Sequence, residues 1–154
     1  MVLKLSDIKS RMIPVTITTP DGYKETVTIG SLSYVEWNNC AIGIEFPSIP
    51  TVRRLTEKGQ QDVPNYDDPS YRNALVIAEA TISFRRVVAS LIKGGNFPEL
   101  KDKSLDEQCE ELEGLDVSII RGVMQALSQI QLHTRGGIDA KKATFQDEQI
   151  PQNA

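Results

Sequence analysis

The chain has 154 residues, of which 40% are hydrophobic, 25% charged and only 6% aromatic, and its formal net charge is −4. That length fits one domain with at most a small appendage. The composition excludes collagen, mucin and wholesale disorder, and the negative balance argues against a protein that coats nucleic acid, where surplus Lys and Arg must meet phosphates.

Met1 to Ser10 holds no apolar core long enough for a signal peptide. No run approaches the ~20 apolar residues that cross a bilayer. The expectation is a soluble cytoplasmic protein with no membrane partner. From Ile13 to Ile29 the pattern is a hairpin: Ile13, Val15 and Ile17 alternate with Pro14, Thr16 and Thr18, Pro20-Asp21-Gly22 turns the chain, and Val27 and Ile29 alternate with Thr26 and Thr28. A lone hairpin is marginal in water, so its Ile/Val face must pack on something else.

Ser33 and Glu36 have the spacing of a capping box, which predicts a short helix from Tyr34 to about Cys40. It carries Tyr34 and the only tryptophan, Trp37, one turn apart. Trp37 is expected to anchor this helix on the hairpin, and as the largest apolar side chain it is also a candidate partner contact. Residues 51–66, with Arg53, Arg54, Lys58, Gly59 and Pro64, show neither helical nor strand periodicity and read as a linker. Arg53 and Arg54 are candidate contacts for an acidic partner, beside the plainer reading of a solvated pair.

Asp68-Pro69 opens the next helix with an N-cap acid and a proline at the first helical position, and Gly94-Gly95 ends it. On a helical wheel Arg72, Glu79, Ser83, Arg86 and Ser90 share one narrow sector, and nearly everything else is apolar. Such a helix is the centre of a small bundle or buries part of itself in a partner. Phe84, Arg85 and Val88 are the candidate contacts on it. As the centre of a bundle it would bury Ile82 and Val88. Arg85 points into the apolar arc and must snorkel or find a carboxylate. Glu99, Asp102, Asp106, Glu107, Glu110, Glu111, Glu113 and Asp116 follow in one acidic run, which is expected to dock on the basic residues of the central helix.

Ser104 and Glu107 repeat the capping-box spacing before a short helix from Leu105 to about Glu113. A last amphipathic helix runs from about Leu115 or Asp116 to Leu132, with Ile119, Ile120, Val123, Met124, Ala126, Leu127 and Ile130 on one half. The tail beyond it has too few apolar residues to build structure alone. The fold class expected is therefore α+β, an N-terminal antiparallel β-hairpin followed by a small bundle of three to four helices. Its parts are 1–50 hairpin and short helix, 51–66 linker, 67–133 helical bundle and 134–154 flexible tail.

Chemistry is sparse. His133 is the sole histidine and sits at a helix end, where its charge suits the helix dipole. Cys40 and Cys109 lack CxxC spacing and read as free thiols. Gly94-Gly95 follows a helix, where a phosphate cradle precedes one. The acidic run lacks the alternating pattern of a calcium loop. No catalytic residue, cofactor site or metal site is expected.

The order of motifs is Leu32-Ser33-Tyr34-Val35-Glu36-Trp37, a proline-rich connector, Tyr66-Asp67-Asp68-Pro69-Ser70-Tyr71-Arg72-Asn73-Ala74, Phe84-Arg85-Arg86, Leu105 to Leu115, and Leu115-Asp116-Val117. Over residues 11–132 this resembles small tail-module proteins of long-tailed bacteriophages, above all the tail assembly chaperones encoded beside the tape measure protein. The better-known members are largely helical, and the N-terminal hairpin sets this chain apart from them. The resemblance implies a non-enzymatic chaperone in the host cytoplasm that binds the tape measure protein and recruits tail tube protein. Its alternatives are a structural or tail-completion protein retained in the virion, and a small enzyme of unknown reaction. Nucleic acid and membrane are not expected as partners, and a homo-oligomer stays open.

Overall fold

The computed structural model describes residues 11–131 of the chain. Strands β1 (Met12–Thr18) and β2 (Lys24–Gly30) pair antiparallel with Ile13 opposite Ile29 and Val15 opposite Val27. The turn forms where Pro20-Asp21-Gly22 places it: Thr19 N–H donates to Tyr23 O at 2.8 Å, Gly22 N–H donates to Thr19 O at 2.9 Å, and Gly22 takes φ +85°.

The hairpin's apolar face meets two helices, α2 (Pro69–Lys93) and α4 (Val117–Gln131). Ile17 and Ile29 are buried against Val87 and Leu91 of α2 and Val123 and Leu127 of α4. Burial of each such side chain is worth about 1.5–3 kcal/mol. The close approach of α4 to β1 uses Gly122, where a Cβ would lie 3.2 Å from Ile17 Cγ1. A second cluster, Val88, Leu100 and Leu112, lies between α2 and α3 (Leu105–Glu111), with Phe84, Ile92, Leu105 and Cys109 packed around it. Phe97 and Leu115 touch both clusters, so the hairpin and the helices share one continuous interior. Phe97 takes φ +52°, and the chain then makes a single 3-10 turn at Pro98–Leu100.

The capping chemistry follows the sequence signals. Asp68 accepts from Tyr71 N–H at 2.9 Å to start α2. At its end Gly95 N–H donates to Ile92 O at 3.0 Å and Asn96 N–H to Leu91 O at 3.1 Å, with Gly95 at φ +89°. This is a Schellman closure, and it needs glycine at Gly95. Ile82 and Val88 are buried, as a central helix requires. Short helix α1 (Tyr34–Asn39) and helix α3 begin at Ser33 and Ser104, each with both capping-box bonds present.

The polar sector of α2 is where β2 and α1 attach. Ser90, fully buried, donates to Gly30 O at 2.7 Å, and Asn96 Nδ2 donates to Thr28 O at 2.6 Å. Lys93 pairs with Glu36 of α1 at 2.6 Å, so this cation meets the N-terminal part of the chain instead of the acidic run. Small hydroxyls on a helix suit a seam with strand carbonyls, which need donors once buried.

Residues 51–66, expected as a linker, contain a second antiparallel hairpin, β3 (Thr51–Thr56) and β4 (Gly59–Pro64). Glu57-Lys58 turns the chain, Gly59 takes φ +95°, and Thr56 Oγ1 donates to Gly59 O at 2.9 Å. The only apolar cross-strand pair is Val52 with Val63; each of the others contains a polar residue, as in Arg53 with Asp62, Arg54 with Gln61 and Leu55 with Gln60. Backbone pairing closed by a good turn outweighed the missing alternation. None of its residues belongs to either core cluster. The expected N-terminal segment 1–10, His133 and the tail 134–154 lie outside the described residues.

Candidate functional site

Among the described residues, the C-terminal half of α2 is packed by the hairpin, α1, α3 and α4, whereas its N-terminal half meets α3 only across an open groove. Between Pro69 and Thr81 only Ala78 is buried. Val76 and Ile77 remain 63% and 66% exposed.

Along one side of this stretch Ile77, Ala80, Thr81 and Phe84, spaced at helical intervals, form the floor of a groove of about 670 Å³ that opens to solvent. The opposite wall is α3 and the residues after it. Leu105, Cys109 and Leu112 face the α2 interior, Gln108 Nε2 ties α3 to Leu100 O at 2.8 Å, and Asp106, Glu110 and Glu113 line the rim. Arg85 crosses the groove from α2, with Nη1 2.6 Å from Asp106 Oδ1. Its side chain is 16% exposed while the aspartate's is 75% exposed. Arg85 thus finds the carboxylate its apolar setting demands, although its Nε is buried with no hydrogen-bond partner.

Burial pushes the Cys109 thiol up to about 11, with the Arg85 guanidinium partly offsetting the rise. The thiol is protonated at neutral pH and is no nucleophile. Cys40 is buried and likewise raised by desolvation.

Of the expected partner contacts, Val88 is completely buried and cannot touch a partner in the folded chain. It lies on the α3 side of α2, where the short helix supplies the cover that a partner was expected to give. Phe84 is half-buried and serves both the second cluster and the groove. Trp37 ties α1 to α2: the Arg86 guanidinium lies 3.8 Å from its ring centroid, and Arg86 Nε donates to Trp37 O at 3.4 Å. One face of the indole is therefore occupied. Desolvation lowers the Arg86 pKa in this position. Arg53 and Arg54 stand exposed on β3, and Arg53 lies 4.0 Å from Asp62 within its own hairpin.

Among the described residues no three His, Cys, Asp or Glu side chains gather to hold a metal ion, and no helix is long and apolar enough to cross a membrane. No known protein family, curated protein or solved structure matches the chain. The groove residues Ile77, Glu110 and Glu113 and the exposed Leu55 of β3 were not candidates from sequence. The signal for the first was present, since Ile77, Ala80, Thr81 and Phe84 keep the i, i+3, i+4, i+7 spacing of a contact face on α2.

Proposed function

We propose that the chain is a non-enzymatic assembly chaperone of a long-tailed bacteriophage, acting in the host cytoplasm by binding the tape measure protein and drawing in tail tube protein. The observation that carries this reading is the uncovered N-terminal half of α2. Val76 and Ile77 are adjacent, apolar and about two-thirds exposed, on a helix whose other half is packed on several sides. Covering the two-thirds of each side chain that is still in water would recover about 1–2 kcal/mol apiece on a protein partner. Tyr34 and Val35 on the short helix α1 and Phe46 after it add further exposed apolar area. A long apolar helix is the partner chemistry that suits a helical apolar strip, through i, i+3, i+4 contacts.

Co-expression with the tape measure protein of the same tail gene cluster tests the proposal. The chain should keep that protein soluble and co-purify with it. The exposed-site double variant Val35→Glu with Val76→Glu should lose co-purification while its far-UV circular dichroism and thermal midpoint stay those of the parent. A tape measure protein that stays insoluble beside the parent chain refutes the proposal. Stoichiometric recovery of the chain from purified tails by mass spectrometry replaces it with the reading of a retained tail component.

A further inference from the structure

Two features lack a counterpart among the described residues of one copy, and they fit each other. We infer that the chain self-associates by seating the β3–β4 hairpin of one copy in the α2–α3 groove of another.

The hairpin has every property of a segment completed from outside. Two strands alone are marginal in water, and this pair contributes no residue to either core cluster. Leu55 near its tip is 82% exposed, the most exposed large apolar side chain among the described residues. Arg53 shares the Leu55 face of the strand, and Arg54 projects to the other face. Both strands are edges, with unpaired carbonyls along their outer sides.

The groove presents the complement. Its floor is apolar, through Ile77, Ala80 and Phe84, and its rim carries Asp106, Glu110 and Glu113. Arg53 and Leu55 lie about 6.8 Å apart along the strand, at 3.4 Å per residue. Leu55 and Arg53 leave β3 on one face, so a Leu55 seated on the apolar floor sets Arg53, with Asp62 opposite it, beside the carboxylates that flank the floor. Within one copy none of the hairpin residues lines the groove. A contact between different surfaces of identical copies closes as a reciprocal dimer or ring, or propagates as a chain.

Ile77 belongs both to this groove and to the exposed strip of the tape measure reading, so the two associations share one edge of α2. Their experiments stay distinguishable, because the earlier one varies Val35 and Val76 and this one varies neither.

Sedimentation velocity on the full chain provides the test. The parent should sediment above monomer mass and shift toward monomer as salt rises. The variants Arg53→Glu with Arg54→Glu, and Glu110→Arg with Glu113→Arg, should each weaken association at least about tenfold when alone, with unchanged circular dichroism. An equimolar mixture of the two should associate again, because an acidic hairpin then meets a basic groove and a basic hairpin an acidic one. Leu55→Asp should also weaken association. A monomeric parent overturns the inference, as does an oligomer indifferent to all three variants, or a mixture that stays monomeric.

Discussion

Replacing Gly94 with alanine is expected to pry the end of α2 away from β2. A Cβ at that position would stand 2.7 Å from the Thr28 carbonyl carbon and 2.8 Å from Ile29 Cα, and closer still to the Thr28 oxygen. Ordinary carbon contacts lie at about 3.5–4.0 Å, so the helix end must retreat by roughly 1 Å. Those neighbours are backbone and have no rotamer with which to give way. The same retreat stretches the Ser90 bond to Gly30 O, now 2.7 Å, and the Asn96 bond to Thr28 O, now 2.6 Å, to or beyond the hydrogen-bond limit. Each net bond is worth about 0.5–1.5 kcal/mol, and a fully buried Ser90 left unpaired adds about 1–3 kcal/mol. The sum is roughly 2–6 kcal/mol, a fall of about 6–18 °C in midpoint for a chain of this size. Urea and thermal unfolding followed by far-UV circular dichroism measure it. Two glycines calibrate the result. Gly95→Ala meets no atom within 4 Å but sits at φ +89°, and should lose about 1–2 kcal/mol. Gly114→Ala meets no atom and has no positive φ, and should be neutral or gain about 0.4–1 kcal/mol. A Gly94→Ala variant as stable as Gly114→Ala would refute the reasoning.

Val88→Ala should lose about 2 kcal/mol in urea unfolding, because the side chain is wholly enclosed by α2 and α3. The Arg85–Asp106 pair should respond asymmetrically: Asp106→Asn strands a largely buried guanidinium and loses about 1 kcal/mol, whereas Arg85→Met replaces it with an apolar side chain of similar length and should be near neutral. Equal losses from the two changes would show that the ion pair itself is the stabilising element. Cys109 holds its proton more tightly folded than unfolded, from an ordinary value of 9.0 to about 11. Its contribution is thus present below pH 9 and lost as pH rises toward 11. Cys109→Ala should flatten the fall in urea midpoint across that window relative to the parent, and identical slopes would contradict the assignment.

The α+β class and the order of the main elements were readable because their signals are local. Two capping boxes, an N-cap aspartate before proline, a Pro-Asp-Gly turn and a Gly-Gly stop each act within four or five residues. Arg85 was legible for a different reason: a guanidinium in an apolar arc has few permissible surroundings, and a carboxylate is the commonest. The second hairpin was hidden because its strands are held by main-chain pairing and a turn, with one apolar pair at Val52 and Val63, so periodicity carried almost no information. Tertiary choices were also hidden. Nothing local says that Ser90 and Lys93 serve β2 and α1, or that Val88 is closed off by α3, since those outcomes depend on which segment arrives at which face. The groove falls between the two cases, its floor visible as a helical row and its acidic rim visible as a run, but their juxtaposition set only by folding.

The seam joining α2 to β2 also governs when the chain can fold during its own synthesis. Gly30 waits for Ser90, which lies 60 residues later in the chain. At about 5–20 residues per second the first hairpin spends roughly 3–12 s outside the ribosome before the helix that covers it exists. Throughout that interval its Ile/Val face is open to whatever binds nascent chains. Threonine-rich outer faces and the early Pro-Asp-Gly turn allow the hairpin to wait without stacking on a neighbour. A pause late enough for residue 96 to have cleared the ribosome would give the seam time to close before α4 emerges, and one that holds Ser90 inside the ribosome would prolong the exposed state.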